Sequence, residues 1–129
     1  MTSGKLKTLF LDAVPDDRLF DDPDTLAVYS IDTTENPPGR PELVIKLRTH
    51  EEAEAVVGIA AKHDVALTPR VAGTNLGGLS LAPRGGAILD LTEMNRILDI
   101  NEVDMLAVVE PGVTFRQLVD ELKARELPL

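Results

Sequence analysis

The chain has 129 residues, a length that suits one domain or part of one. Hydrophobic residues make up 43% and charged residues 27%, which excludes a disordered chain, and no apolar run approaches the length of a membrane span. The absence of cysteine excludes disulfides, thiolate nucleophiles and cysteine-bound metals, and the net charge of −9 argues against nucleic acid as a partner.

The first part of the chain predicts one helix followed by an irregular segment. Apolar residues recur at helical spacing from Ser3 to about Val14, and Pro15 ends that helix. The acidic stretch 16–24 lacks the central glycine and the closing glutamate of a calcium loop, so we expect a solvated turn there. Residues 37–41 predict a loop. The N-terminus lacks a small-residue cleavage site typical of a secretory signal, so the expected location is cytoplasmic.

A strand–helix–strand unit is predicted next. The apolar run 43–47 is typical of a buried strand, and the T-x-x-E pattern at Thr49 is a capping box that begins a helix ending near His63. Residues 65–70 form the second strand. Because a helix connects them at this spacing, the two strands are expected to be parallel.

Three further strands and a second long helix complete the chain. Strands are predicted at 87–91, 96–100 and 105–110, and the turn at 101–104 makes the last two an antiparallel hairpin. A helix capped by Thr114 follows. The fold class is α+β (α/β): a small parallel βαβ layer followed by part of a mixed or antiparallel sheet. Because the chain stops directly after this helix, we expect a fragment or one half of a split domain.

The loop after the second strand carries the main functional signal. It contains Gly73, Gly77 and Gly78, and glycine permits positive φ and a close approach of backbone to a ligand. Backbone N–H groups in such a loop bind phosphate without many positive side chains. The spacing fits neither a Walker loop nor a Rossmann fingerprint. The loop is a candidate diphosphate cradle, and a surface turn without a ligand is the alternative.

Other chemistry-bearing residues give weaker signals. His50 and His63 lie near opposite ends of one predicted helix, too far apart to share a metal. Glu110 could act as a base, but a strand-end carboxylate is the more common role for such a residue. Ser80 lacks the setting of a nucleophile elbow. We therefore assign no catalytic residue and no metal ligand.

Several motifs in order carry a family resemblance. They are Pro41-Glu42-Leu43-Val44, Pro69-Arg70, Ala72-Gly73-Thr74-Asn75-Leu76, Gly86-Ala87-Ile88-Leu89-Asp90-Leu91, Met94-Asn95-Arg96-Ile97-Leu98 and Val108-Val109-Glu110-Pro111-Gly112-Val113, together with Tyr29-Ser30 and Asp32. The chain resembles the FAD-binding domain of the vanillyl-alcohol oxidase or p-cresol methylhydroxylase type. It is most similar to the branch that holds the D-lactate dehydrogenases and the glycolate oxidase flavoprotein subunit. Residues 1–40 would then be an N-terminal helix and a lead-in segment, and residues 41–129 the N-terminal part of the FAD-binding domain.

The resemblance implies FAD as the cofactor and assigns residues to it. A loop would wrap the diphosphate with its N–H groups, with side-chain hydrogen bonds from Thr74 and Asn75, and a later turn would face the flavin or its ribityl chain. The implied residues are Pro69, Arg70, Val71, Ala72, Gly73, Thr74, Asn75 and Gly78 in the loop and Pro111, Gly112 and Val113 in the turn. Thr74 stands where some relatives carry a histidine that attaches the flavin, which implies non-covalent FAD. Val71 stands where glycine is usual, so either its backbone is ordinary or FAD binding is weakened.

The resemblance also implies a function. The chain would be the FAD-binding portion of a flavin-dependent oxidoreductase that acts on a 2-hydroxy acid such as lactate or glycolate. Because the substrate-binding segments of such enzymes follow this region, the chain alone is not expected to turn over. A second hypothesis is a catalytically incomplete subunit or interaction module, completed by a second chain. A third is a binding module for another diphosphate ligand.

Overall fold

A computed structural model of the protein describes residues 3–128. Its elements in chain order are α1 (Ser3–Leu9), a 3-10 turn (Asp16–Arg18), β1 (Leu19–Phe20), α2 (Pro23–Tyr29), β2 (Leu43–Lys46), α3 (His50–His63), β3 (Leu67–Arg70), β4 (Ala87–Asp90), β5 (Ile97–Asn101), β6 (Leu106–Val109) and α4 (Phe115–Ala124). They form a mixed α/β fold with a largely parallel sheet and an antiparallel hairpin, which confirms the predicted fold class.

The larger sheet has four strands in the order β1-β2-β4-β3. Strands β2 and β3 both run parallel to β4, and β1 pairs antiparallel with β2. Lys46 of β2 and Arg70 of β3 both pair with Asp90 of β4. The carboxyl ends of three strands therefore lie at one edge of the sheet, the edge at which open α/β sheets bind ligands.

The position of β4 corrects the sequence prediction. The strands β2 and β3 are parallel, as predicted, but they do not touch, because β4 lies between them. The prediction had placed β4 with the later mixed sheet. All four residues of β4 are buried, and a short apolar run buried on both faces is typical of a central parallel strand.

Apolar side chains cover both faces of the four-stranded sheet. On one face, buried residues of β2 and β4 pack with Phe10 and with Val56 of α3. On the opposite face, Val44 and Ile88 pack against Tyr29 of α2. The N-terminal segment therefore shares its core with the sheet that carries the glycine-rich loop.

The N-terminal segment contains more secondary structure than predicted. Its first helix ends at Leu9, not near Val14, because the chain tightens into turns after that residue. The acidic stretch 16–24 is also not a plain solvated turn, since it holds the 3-10 turn, β1 and the start of α2. Asp22 caps α2: its carboxylate accepts a hydrogen bond from the N–H of Thr25 at 2.8 Å. One aspartate of this acidic stretch therefore serves as a helix cap.

The cap of α3 agrees with the prediction in one half only. Thr49 Oγ1 accepts a hydrogen bond from the N–H of Glu52 at 3.2 Å, as a capping box requires. The carboxylate of Glu52 instead accepts from the N–H of Arg48 at 2.8 Å and forms a bidentate ion pair with Arg18. This ion pair joins the N-terminal segment to α3.

The hairpin β5–β6 and the helix α4 line the two sides of one groove. The capping box at the start of α4 is confirmed, because Thr114 and Gln117 each bond the other's backbone N–H. An apolar groove of about 230 Å³ separates hairpin from helix, with Leu106, Leu118 and Leu122 in its lining. Strand β6 is exposed along its whole length.

Candidate functional site

The glycine-rich loop leaves the carboxyl end of β3 and bounds an open depression at that edge of the sheet. The depression has a volume of about 320 Å³, which is large enough for part of a small ligand. It is lined by Pro69, Arg70, Val71, Ala72, Gly73, Thr74, Asn75, Leu79 and Ser80. All the predicted loop residues therefore lie together except Gly78, which lines a separate depression beside Asn36.

Among the carbonyl groups of the loop that bond to the rest of the protein are those of Arg70, Gly73 and Asn75. The carbonyl of Arg70 accepts a hydrogen bond from the N–H of Leu91 at 2.9 Å. Thr33 donates to the other two, through its N–H to Gly73 at 3.2 Å and through Oγ1 to Asn75 at 3.1 Å. These bonds fix the orientation of three peptide groups.

The N–H groups that follow these carbonyls are free. In a trans peptide the carbonyl and the next N–H point in opposite directions, so the N–H groups of Val71, Thr74 and Leu76 point away from the partners of those carbonyls. Within residues 3–128, none of the three donates to a protein acceptor. Unpaired N–H groups on a loop are the donors that bind an anion, so the loop fits a phosphate or diphosphate group.

Two glycines are required by the shape of the loop. Gly73 and Gly78 have φ of +69° and +70°, a region that side chains disfavour. A Cβ at Gly73 would lie 2.8 Å from the Arg70 guanidinium, and one at Gly78 would lie 2.6 Å from Asn36 Nδ2. A Cβ at Gly77 would meet only an ordinary contact at 3.7 Å. Gly77 is therefore the tolerant glycine of the three.

Val71 resolves one alternative that the sequence left open. It is not among the non-glycine residues with positive φ, so its backbone is ordinary and carries no strain of that kind. The side chains of Val71 and Thr74 are both exposed. The hydroxyl of Thr74 makes no hydrogen bond with the described part of the chain, so it stays available to a ligand.

The side chain of Arg70 turns beneath the loop. Its Nη1 donates to the carbonyls of Tyr29 at 3.2 Å and Ile31 at 2.7 Å, and its guanidinium lies 5.0 Å from the centre of the Tyr29 ring. The Tyr29 hydroxyl in turn donates to the buried carboxylate of Asp90. Burial and this carboxylate raise the pKa of Tyr29, which keeps the phenol a neutral donor. Arg70 therefore brings positive charge directly below Gly73 while it anchors the lead-in segment.

Asn75 organises the loop and has no capacity left for a ligand. Its Oδ1 accepts from the N–H groups of Gly77 at 3.1 Å and Leu79 at 2.9 Å. Its Nδ2 donates to Asp32 at 3.1 Å and to Ser80 Oγ at 2.9 Å. An asparagine amide has two donor hydrogens and two acceptor positions, and all four are used. The Asn75 side chain is thus fully bonded within the protein, and its hydrogen bond to a diphosphate stays a prediction.

Four residues that shape this loop were missing from the predicted site. They are Tyr29, Asp32, Thr33 and Ser80. The sequence offered a signal for the first two only, as part of the motif Tyr29-Ser30 with Asp32. Ser80 had been weighed as a nucleophile, but in the structure its hydroxyl donates to Asp32 at 3.0 Å.

The predicted turn around Gly112 lies outside the depression. Its N–H donates to the carbonyl of Met94 at 2.7 Å, and a Cβ there would lie 2.4 Å from the carbonyl oxygen of Thr92. The hydroxyl of Thr92 lies 3.5 Å from a carbonyl of the glycine-rich loop. The two segments predicted to bind the cofactor, the glycine-rich loop and the turn at Gly112, therefore lie on either side of the turn that follows β4. Beside Gly112, Pro111 is exposed and Val113 is half-buried.

Glu110, the carboxylate weighed as a base, is held in an ion pair. The buried carboxylate of Glu110 accepts from the backbone N–H of Arg96 at 2.8 Å and from its guanidinium at 2.7 Å. Arg96 holds the pKa of Glu110 below its usual range, which suits a strand-end ion pair better than a base working near neutral pH. Within residues 3–128, no group of three or more histidine, aspartate or glutamate side chains is placed to hold a metal ion, and no helix is long and apolar enough to cross a bilayer.

Comparison with known proteins identifies the family. A family model described as an FAD binding domain matches residues 41–129. The chain is 35% identical over 100 residues to the glycolate oxidase subunit GlcD of Bacillus subtilis. The match covers 78% of this chain and 21% of that protein. It is 36% identical over 118 residues to the 4-cresol dehydrogenase (hydroxylating) flavoprotein subunit of Pseudomonas putida, and this match covers 88% of this chain and 23% of that protein. D-2-hydroxyglutarate dehydrogenase of Stutzerimonas stutzeri is 34% identical to the chain over 114 residues, and the match covers 88% of this chain and 24% of that protein.

A solved structure gives the same result. p-Cresol methylhydroxylase with substrate bound has a TM-score of 0.80 and 30% identity, and the match covers 97% of this chain and 25% of that one. The chain thus spans about a quarter or less of the length of these relatives. Since both the family model and the structural match extend over most of its residues, the chain belongs to the FAD-binding domains of the p-cresol methylhydroxylase type, the family whose cofactor is FAD.

Proposed function

We propose that the glycine-rich loop holds the diphosphate of a non-covalently bound FAD. The observation that carries the proposal is the set of free N–H groups at Val71, Thr74 and Leu76, beside a depression that the Arg70 guanidinium underlies. Successive backbone N–H groups in such a loop form a concave site for an anion. Non-covalent attachment is supported by Thr74, whose side chain cannot form the bond that a histidine forms in some relatives.

We further propose a place for this chain in a larger enzyme. Relatives named as a glycolate oxidase subunit, a D-2-hydroxyglutarate dehydrogenase and a D-lactate dehydrogenase favour a 2-hydroxy acid as the substrate of the complete protein. FAD would supply the redox chemistry by accepting a hydride equivalent from that acid. Residues 41–129 contribute the first part of the FAD-binding domain, after the helix and lead-in segment of residues 1–40. A cytoplasmic location stays a prediction from the N-terminal sequence and the cysteine-free composition.

Gly73→Ala is expected to lower the affinity for FAD by about tenfold or more. An alanine in the left-handed region costs on the order of 1–2 kcal/mol, and its Cβ would press on the guanidinium that lies under the peptide bearing the Thr74 N–H. Either the strained peptide or the guanidinium must shift, which displaces the Thr74 N–H or the positive charge below it. Titration of FAD into each protein, followed by flavin fluorescence, measures the effect.

Gly77→Ala is the matched control in the same loop. Its Cβ meets open space or ordinary contact, so the affinity should stay within about twofold of the wild type. ADP should compete with FAD, riboflavin should bind far more weakly, and acid precipitation should release any bound flavin. Equal affinities for riboflavin and FAD, or a Gly73→Ala protein that binds FAD normally, would contradict a diphosphate site in this loop.

The exposed hairpin favours a second candidate function, an interaction module completed by a second chain. Val108 and Val109 of β6 are 46% and 40% exposed, and Leu98 of β5 is 56% exposed. Unpaired strand edges with apolar side chains attract further strands. If this function holds, light scattering will show association that Val108→Lys reduces. A wild-type chain that stays monomeric at high concentration would contradict it.

A further inference from the structure

One carboxylate of the lead-in segment, that of Asp32, bonds side chains of the glycine-rich loop. Asp32 Oδ2 accepts hydrogen bonds from Asn75 Nδ2 at 3.1 Å and from Ser80 Oγ at 3.0 Å. Asp32 Oδ1 accepts from the N–H of Thr34 at 2.9 Å and from its hydroxyl. The hydrogen bonds of Thr34, Asn75 and Ser80 hold the pKa of Asp32 at about 2, so the group is a carboxylate under all ordinary conditions. A carboxylate can only accept, and this restricts what its neighbours can do.

Asp32 fixes which way the Asn75 amide faces. Because the carboxylate can only accept, the Asn75 NH₂ must face it, and Oδ1 must face the loop. There Oδ1 accepts from the N–H groups of Gly77 and Leu79. These two N–H groups are therefore taken out of the set available to a ligand, and the loop is held in one shape by a chain of bonds that begins at Asp32.

Asp32 does not itself face the ligand. The depression is lined by Asn75 and Ser80 but not by Asp32. A carboxylate in the lining would repel a diphosphate, and Asp32 is kept out of that lining. This arrangement separates the residue that shapes the loop from the groups that meet the anion.

We propose that Asp32 is a positioning residue for cofactor binding, acting through Asn75 to set the shape of the diphosphate loop. The inference rests on the proposed function, since it assumes that the loop binds the diphosphate of FAD. It differs from a purely structural role in one respect. Loss of the carboxylate should free the Asn75 amide to turn and should release the Gly77 and Leu79 N–H groups, even in a protein that remains folded.

The test compares Asp32→Asn with Glu35→Gln in the full chain. Both changes remove one negative charge from the lead-in segment, but Glu35 is exposed and makes no hydrogen bond to the loop. For Asp32→Asn we expect the FAD dissociation constant to rise about tenfold, and hydrogen exchange at Gly77 and Leu79 to accelerate. For Glu35→Gln we expect neither. If Asp32→Asn does not fold, Thr34→Val removes one hydrogen bond to the same carboxylate, outside the depression, and should produce both effects to a smaller degree.

The possible failures are distinguishable. If the wild type binds FAD and Asp32→Asn binds it equally well, the inference is overturned and the proposed function stands. If Asp32→Asn loses affinity while exchange at Gly77 and Leu79 is unchanged, the route through Asn75 is wrong. If the wild type does not bind FAD, the proposed function fails, and the inference that rests on it fails as well.

Discussion

Arg18→Ala is expected to lower the free energy of unfolding by about 3–5 kcal/mol, because it leaves the Glu52 carboxylate without its partner. Arg18 is only 8% exposed, and both of its Nη atoms bond the Glu52 carboxylate. The ion pair ties the N-terminal segment to the first turn of α3. Urea unfolding followed by circular dichroism measures the change.

The control is an exposed ion pair in the same protein. Arg125 and Glu121 pair on the surface of α4, so Arg125→Ala should cost only about 0–1 kcal/mol. A double variant, Arg18→Met with Glu52→Leu, should recover much of the loss, since an apolar pair of similar size often replaces a buried ion pair at little cost. A single variant as stable as the wild type would show that the pair does not hold this interface.

The same pair predicts a pH dependence. The Arg18 guanidinium holds the pKa of Glu52 below its usual range in the folded protein. A carboxyl with a depressed folded pKa stabilises the protein above its unfolded pKa, about 4.3, and this contribution is lost as the pH falls through the folded value. The stability gap between the wild type and Arg18→Ala should therefore be widest near neutral pH and should narrow in acid.

The parts of the fold that could be predicted are those with local signals. The caps at Thr49 and Thr114 and the strand of β2 follow from residues that are neighbours in sequence. The helix α2 was missed because it has only seven residues and its start is hidden among acidic side chains. The place of β4 between β2 and β3 was missed because strand order is a choice among distant partners, which no local pattern records.

The candidate site likewise has parts that the sequence predicts and parts that it does not. Glycine spacing pointed to this loop as a candidate anion site, because φ preferences are local. It could not show that Arg70 and Asn75 turn inward, since their partners lie far away in the sequence, Tyr29 at the end of α2 and Asp32 in the irregular segment after it. Polar side chains in such segments have no periodicity that would reveal a partner. The long-range hydrogen bonds are therefore what the structure adds to the sequence.

Gly86→Ala is expected to destabilise the fold by about 2–5 kcal/mol. Gly86 has φ of +75°, and a Cβ there would lie 2.2 Å from the carbonyl oxygen of Ala66. The left-handed backbone costs on the order of 1–2 kcal/mol for alanine, and the clash adds about 1–3 kcal/mol because backbone cannot rotate away as a side chain can. Gly86 also bonds Glu42 through both its N–H and its carbonyl. The change therefore acts at the point where the starts of β2, β3 and β4 meet.

The matched control is Gly58→Ala, at a solvent-exposed position in the middle of α3. A Cβ there meets no atom within 4 Å, so alanine should stabilise the protein by about 0.5–1 kcal/mol through its helix preference. The two glycines thus predict changes of opposite sign from the same substitution, and urea unfolding of both variants decides the matter. A Gly86→Ala protein as stable as the wild type would contradict the close approach of Gly86 to the Ala66 carbonyl. The position of the glycine-rich loop would then need another explanation. The carboxyl ends of β2, β3 and β4 lie side by side only while β4 is held between β2 and β3.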